Sequence, residues 1–209
     1  MKPLIRKGIK HLKIHHSPSS PYVRKVMVVA HEKGLADQIE ILANSPWEEN
    51  ELPADNPSGR VPTLLTDDGM ALFDSRVICE YLDELGGGTS LFPTGSDRWQ
   101  VLKLAAVAEG ALDAGVSIAN ERRKDEAHWS DWYIGRQQAK INRSLDALDQ
   151  AVPNLDGPLN IAQIAAGVAA GYIGFRNHVE DWRGGRPALS RWYDAFADRP
   201  SMQVTAPKG

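Results

Sequence analysis

Apolar residues alternate with polar ones near the start of this chain and recur every three to four positions through its second half. His11 to His16 (HLKIHH) sets Leu12 and Ile14 between polar partners, which predicts a short first strand. Val23, Val26, Met27 and Ala30 then mark one face of a helix that Gly34 ends. Gln38 to Leu42 (QIEIL) reads as a second strand, parallel to the first through a right-handed crossover. An irregular region from Ser45-Pro46-Trp47 to Asn56-Pro57, with a short weak helix, leads to two more strands, Thr63 to Thr66 and Met70 to Phe73. Asp68-Gly69 between them predicts a type I′ turn, which needs φ > 0 at both central residues. Val77, Ile78, Tyr81 and Leu82 give the apolar face of a third helix, opened by Asp74-Ser75, whose side-chain oxygens suit an N-cap. The order is β-α-β-α-β-β-α.

Gly86-Gly87-Gly88-Thr89-Ser90 through Pro93-Thr94-Gly95 is the clearest shift in composition and reads as a linker. Everything beyond it has helical periodicity. Ser96 or Asp97 is expected to cap a long helix with Leu102, Ala105, Ala108, Leu112, Val116 and Ala119 inward. Its end, Glu121-Arg122-Arg123-Lys124, reads as a solvated face with cations at a helix C-terminus, or alternatively as a rim for an acidic substrate. A second long helix follows from about Trp129, with Ile141, Leu145, Leu148 and Val152 inward and Pro153 at its end. Asn160 and Gln163 fit a capping box for the most apolar helix, which runs to about Arg176. Gly167, Gly171 and Gly174 along it suggest close helix packing. Pro187 to Ala197 forms a last helix on Leu189, Trp192, Tyr193 and Phe196, stopped by Arg199-Pro200.

The 209 residues suffice for two modest domains with real cores. A net charge of −3 gives no basic field for nucleic acid or an anionic membrane surface, so neither is expected as a partner. No apolar run approaches the ~20 residues that span a bilayer, and the N-terminus has no apolar core of a secretory signal. Cys79 is the single cysteine, which excludes an intrachain disulfide and fits a reducing, cytoplasmic setting. Its place inside the third helix makes it core packing. The three histidines of HLKIHH divide between strand faces with no clear acidic or thiol partner nearby, so no metal is expected.

Three places carry candidate chemistry. Val61-Pro62 enters a strand, where Pro has no N–H for the ladder; a cis peptide there would turn the Val61 backbone toward an extended peptide ligand. Asp74-Ser75 offers a carboxylate, a hydroxyl and free helix N–H groups, able to hold an ammonium and a carboxylate of one small molecule. In the turn Ser17-Pro18-Ser19-Ser20-Pro21-Tyr22, Ser20 reads as an N-cap before a Pro-opened helix. The same hydroxyl could donate to a thiolate that the helix dipole favours. Lowering a thiol pKa from about 8.5 to about 6.5 needs roughly 2.7 kcal/mol, within reach of one charge-assisted hydrogen bond and a helix terminus.

At NPSGRVPTL, the hairpin and the Asp-Ser helix start, the chain resembles the glutathione S-transferase superfamily, and the likeness extends from Leu12 to about Pro200. The resemblance implies an α+β/α two-domain fold: a thioredoxin-like βαβαββα domain over residues 1–86, a linker over 87–96 and an all-helical domain over 97–209. It implies glutathione as co-substrate and no metal. Val61, before a cis Pro62, would pair with the cysteinyl part, and Asp74 and Ser75 would hold the γ-glutamyl end. Arg60 stands where the family has a Lys, keeping its charge but not its geometry. The activating residue would be Ser20, or else Ser17 at the end of the first strand, as in serine-type members of zeta or theta kind. With no cysteine in that turn, omega-like thiol exchange is disfavoured, and Tyr22 is a poor match to a Tyr-type position. Asn160 and Gln163 replace the family's usual Ser or Thr and Asp. The resemblance further implies a two-fold homodimer. The thiolate would attack a small electrophilic substrate in a cleft lined partly by the helix from Arg98 to Arg123. The competing class is a non-catalytic glutathione-binding or protein-interaction module on the same fold.

Overall fold

The computed structural model describes residues 11–43 and 51–207, so Met1 to Lys10 and Ser45-Pro46-Trp47 lie outside the described residues. The chain divides into two compact units. One runs to Ser90 and takes in the chain from Val204; the other is Leu91–Gln203.

The first unit is built as β1 (Leu12–His16), α1 (Pro21–Glu32), β2 (Ile39–Ala43), α2 (Leu52–Asp55), β3 (Thr63–Leu65), β4 (Ala71–Leu72) and α3 (Ser75–Leu85). Its sheet has the order β2-β1-β3-β4, with β1 parallel to β2 and antiparallel to β3. The parallel pair is joined through α1, the one connection that must cross over the sheet. Leu12, Ile14, Val26, Val29, Leu64, Ile78 and Leu82 form the core.

Three local expectations change. The β3–β4 turn is a three-residue loop, not a two-residue type I′ turn. Gly69 has φ +82° but Asp68 does not enter the positive region, so one left-handed residue must suffice. The Gly69 N–H bonds the Thr66 carbonyl, and the Thr66 hydroxyl accepts from the Met70 N–H. On α1, Val28, Val29 and even Lys25 are buried while Met27 is only half-buried, because the helix is covered on more than one side. On α3, Val77 is 46% exposed and Cys79 takes an inward place, next to Ile78 and Leu82. Cys79 is therefore core packing, as its position in the helix suggested.

The second unit holds α4 (Ser96–Glu121), α5 (Asp131–Gln150), α6 (Ile161–Arg176) and α7 (Pro187–Ala197), followed by α8 (Pro200–Val204). Pro200 opens this last turn instead of only ending α7. Neither Ser96 nor Asp97 caps α4: Gly95, at φ +72°, is the N-cap and makes no side-chain bond. The α4 inner face is Leu104, Ala105, Ala108, Ala111, Leu112, Gly115 and Ile118, with Leu102, Val116 and Ala119 half-buried. Packing against both α5 and α6 widens the buried arc and rotates it from the single stripe expected. Val152 leaves the α5 face for a short 3₁₀ turn, Val152–Asn154.

Asn160 caps α6 by accepting from the Ala162 and Gln163 N–H groups. The reciprocal half of the capping box is absent, since the Gln163 amide donates to the Pro158 carbonyl at 3.2 Å. A Cβ on Gly167 would stand 2.5 Å from the Phe196 ring, and one on Gly174 2.7 Å from Trp182, so these glycines let neighbours approach closely. Among the described residues no helix is long and apolar enough to cross a membrane.

His178, just past α6, is buried with neither ring nitrogen bonded among the described residues. Burial, and then the Arg122 and Arg176 guanidinium groups, push its pKa down to about 4. The free imidazole titrates near ~6.5, so between these values the unfolded chain binds more protons than the folded one. The stability His178 contributes is therefore complete above the unfolded value and is lost as pH falls toward the folded one. The urea midpoint of the wild type is expected to fall across that window more than that of His178→Phe, which keeps an apolar ring and cannot titrate.

Candidate functional site

Three chain segments meet at one end of the first unit's sheet, and strand register brings them there. His15 lies opposite Thr63 and Leu64 opposite Leu72. Because β3 runs antiparallel to both β1 and β4, the end of β1 before Ser17, the start of β3 after Pro62 and the end of β4 before Phe73-Asp74 lie at the same end of the sheet. The turn from Ser17 to Ser20, the loop from Asn56 to Pro62 and the start of α3 are thus neighbours. Their candidate residues, scattered over sixty positions of sequence, share one edge.

Ser20 is the N-cap of α1: its hydroxyl oxygen accepts from the Val23 N–H at 3.3 Å, with Pro21 opening the helix. The Ser20 N–H in turn donates to the Ser17 carbonyl at 3.1 Å, which tightens the turn. Both serines are half-buried. A cap uses a lone pair of the hydroxyl and leaves its proton free, so capping and donation to an anion are compatible roles. Burial lowers the pKa of His16, the residue that precedes this turn, and so favours its neutral form.

The Val61-Pro62 peptide is cis. Val61 lies just outside β3, and among the described residues no hydrogen bond to its backbone is present. Arg60 is exposed, and its carbonyl accepts from the Asn56 amide at 3.0 Å and from the Thr63 hydroxyl at 2.9 Å. On the third segment, Asp74 caps α3 by accepting from the Arg76 N–H at 2.9 Å; its own peptide with Phe73 is also cis. Asp74 is exposed and Ser75 buried.

Sequence reasoning missed the residues that hold this arrangement. Asn56 is buried and uses both ends of its amide: it donates to the Arg60 carbonyl and the Thr63 hydroxyl, and it accepts from the Ser58 N–H and hydroxyl. The chain from 56 to 63 is thereby tied into a closed loop. His15, read as having no acidic neighbour, bonds Asp55 at 2.7 Å across forty positions. At the opposite end of the helices, the buried Lys33 ammonium contacts Asp83 at 2.9 Å and donates to the Thr89 carbonyl, while the Ser90 hydroxyl donates to Asp83. The only signal for Asn56 was its place in the NPSGRVP motif. Nothing local marked the other two pairs.

Two domain models match this chain. The N-terminal domain model of glutathione S-transferase matches residues 19–85, and the C-terminal domain model matches residues 105–195. The chain belongs to the glutathione S-transferase superfamily. Among its relatives is the uncharacterized GST-like protein YibF of Escherichia coli K12, 34% identical over 94% of this chain and 98% of that protein. A glutathione transferase family member from Pseudomonas fluorescens Pf-5, solved with bound glutathione, superposes with a TM-score of 0.89 at 41% identity, covering 95% of this chain and all of that one. A glutathione S-transferase from Methylobacillus flagellatus KT with glutathione bound gives 0.87 at 33% identity, covering 94% of this chain and all of that one.

Because Asn56 fills its hydrogen-bonding capacity inside the fold, its removal leaves buried partners unmatched. Asn56→Ala is expected to destabilise the protein by about 2–3 kcal/mol, read as a lower urea midpoint. Asn56→Asp, which keeps the acceptor for Ser58 but buries a carboxylate oxygen against the Arg60 carbonyl, should lower the midpoint at least as far.

Proposed function

We propose that this protein is a serine-type glutathione transferase, which binds glutathione at the sheet edge just described and activates its thiol. The observation that carries this reading is the convergence on one edge of a Val61 backbone with no hydrogen-bond partner among the described residues, two helix N-termini and the Asp74-Ser75 pair. The cysteinyl backbone of glutathione would pair with Val61, beside the cis Pro62. Its γ-glutamyl ammonium would meet the exposed Asp74 carboxylate, and its carboxylate the N–H groups and hydroxyl at Ser75. Arg60, solvent-facing on the neighbouring loop, supplies a cation on the glycyl side. The sulfur would lie at the start of α1, where the Ser20 O–H donates to the thiolate and the helix dipole favours the anion. Ser20 is preferred over Ser17 because only Ser20 stands at the helix N-cap.

The activated thiolate would attack a small electrophile by direct displacement or addition, with no covalent protein intermediate and no metal. Glutathione is consumed as co-substrate. The relatives solved with glutathione support the same ligand here, and the family supports a two-fold homodimer acting in the cytoplasm. Met70, Phe73 and Val77, exposed on the β4–α3 side, are apolar surface that such a partner would cover.

Calorimetric titration with glutathione tests the reading. Binding in the micromolar-to-millimolar range is expected for the wild type. Asp74→Asn keeps the cap oxygen while removing the charge, and should weaken binding about tenfold by loss of a charge-assisted bond. Ser20→Ala should leave glutathione affinity within a few-fold but raise the pKa of the bound thiol toward its free value of about 8.5, followed by thiolate absorbance against pH. No heat at saturating glutathione would instead support a non-catalytic interaction module.

A further inference from the structure

Asp55 and Asn56 are consecutive residues, and each bonds one member of a single cross-strand pair. The Asp55 carboxylate meets His15 Nε2 at 2.7 Å, and the Asn56 amide meets the Thr63 hydroxyl at 2.9 Å, while His15 and Thr63 face each other across β1 and β3. His15 and Thr63 are both fully buried, so the two attachments anchor to the most rigid part of the sheet. Leu52, also buried, fixes the other end of the single helical turn that carries Asp55. The chain then leaves Asn56 and reaches Val61 after one closed loop. Asn56 ties the loop to the Arg60 carbonyl and to Thr63 on β3, and the Asp55–His15 bond one residue earlier ties the same stretch to β1 as well.

We propose that His15 and Asp55 are positioning residues that fix the direction of the Val61 backbone for its ligand. This rests on the reading of Val61 as the partner of the glutathione cysteinyl group. The pair does not touch the ligand. It sets how the N–H and C=O of Val61 are presented, so removing Asp55 should weaken glutathione binding without altering thiol activation at Ser20, which follows β1 and not α2.

The test uses the full chain as Asp55→Ala, His15→Leu and His15→Gln, the last because a Gln amide can place a donor near the position of Nε2. Hydrogen exchange is measured first on ligand-free protein. Expected is faster exchange from Gly59 to Leu64 in Asp55→Ala and His15→Leu, with α1 and α3 amides unchanged and protection largely restored in His15→Gln. Unchanged exchange in the loop, or equal loosening of α1 and α3, would overturn the proposal. Glutathione titration follows. About a tenfold rise in Kd and KM is expected for Asp55→Ala, with kcat at saturating glutathione within twofold of the wild type; a faster-exchanging loop with unchanged Kd would also overturn it. Wild-type titration reports separately on the transferase reading, since the exchange data need no ligand.

Discussion

The ion pair between Lys33 and Asp83 is the constraint on which the arrangement of the first unit depends. Both side chains are almost wholly out of water, at 2% and 7% exposure, and desolvating two charges costs several kcal/mol per ion in general terms. Further bonds help to offset that cost: the Lys33 ammonium also donates to the Thr89 carbonyl, and Asp83 also accepts from the Ser90 hydroxyl. Gly86 makes this possible: a Cβ there would stand 2.6 Å from that of Lys33. The pair locks the C-terminal ends of α1 and α3 together, and those two helices pack along each other. Their other ends hold Ser20 and Asp74. Local chemistry at the two N-termini is thus kept in register by an electrostatic fastening a helix length away.

Much of this was legible in the sequence because it is local. A cap, a helix stop or a strand alternation depends on residues within a turn of each other, and Ser20, Asp74, Asn160 and Gly34 all act where their neighbours predicted. The NPSGRVPTL motif led further, to the superfamily and its two-part fold. What escaped was set by contacts forty or more positions apart. Asp55 could not be matched to His15, nor Lys33 to Asp83, before the sheet register and helix packing existed. The inner face of α4 was misplaced for the same reason: two neighbouring helices, not one, decide what it buries. Val77 read as apolar core, although the face that packs passes through Ile78, Cys79 and Leu82.

The second unit uses a different means of cohesion. Its central helix α6 is buried along nearly its whole length, and its small residues bring neighbours close: Phe196 approaches Gly167, Trp182 approaches Gly174, and Tyr172 and His178 approach Gly115 of α4. Around that dry centre, Arg186 supplies the polar attachment, donating to the Asp146 carboxylate, the Asn142 amide oxygen and the Trp182 carbonyl. Asp149 accepts the Leu189 N–H at the start of α7. Glu121 is treated alike: the Lys124 ammonium and then the Ser130 N–H hold its carboxyl below the usual range, bridging the end of α4 to the start of α5.

Ser20 holds α1 through a lone pair of its hydroxyl and keeps the proton free, and this constrains what could replace it. A cysteine at position 20 would gain a nucleophile at a helix N-terminus, where a thiolate is favoured. A neutral thiol accepts hydrogen bonds only weakly, however, so the Val23 N–H would have a poorer cap unless the thiol ionised. An alanine or a bulky apolar residue would lose both. Serine and cysteine at this turn would therefore differ in how they begin the helix as well as in reactivity: the serine caps in its neutral form, the cysteine well only as a thiolate.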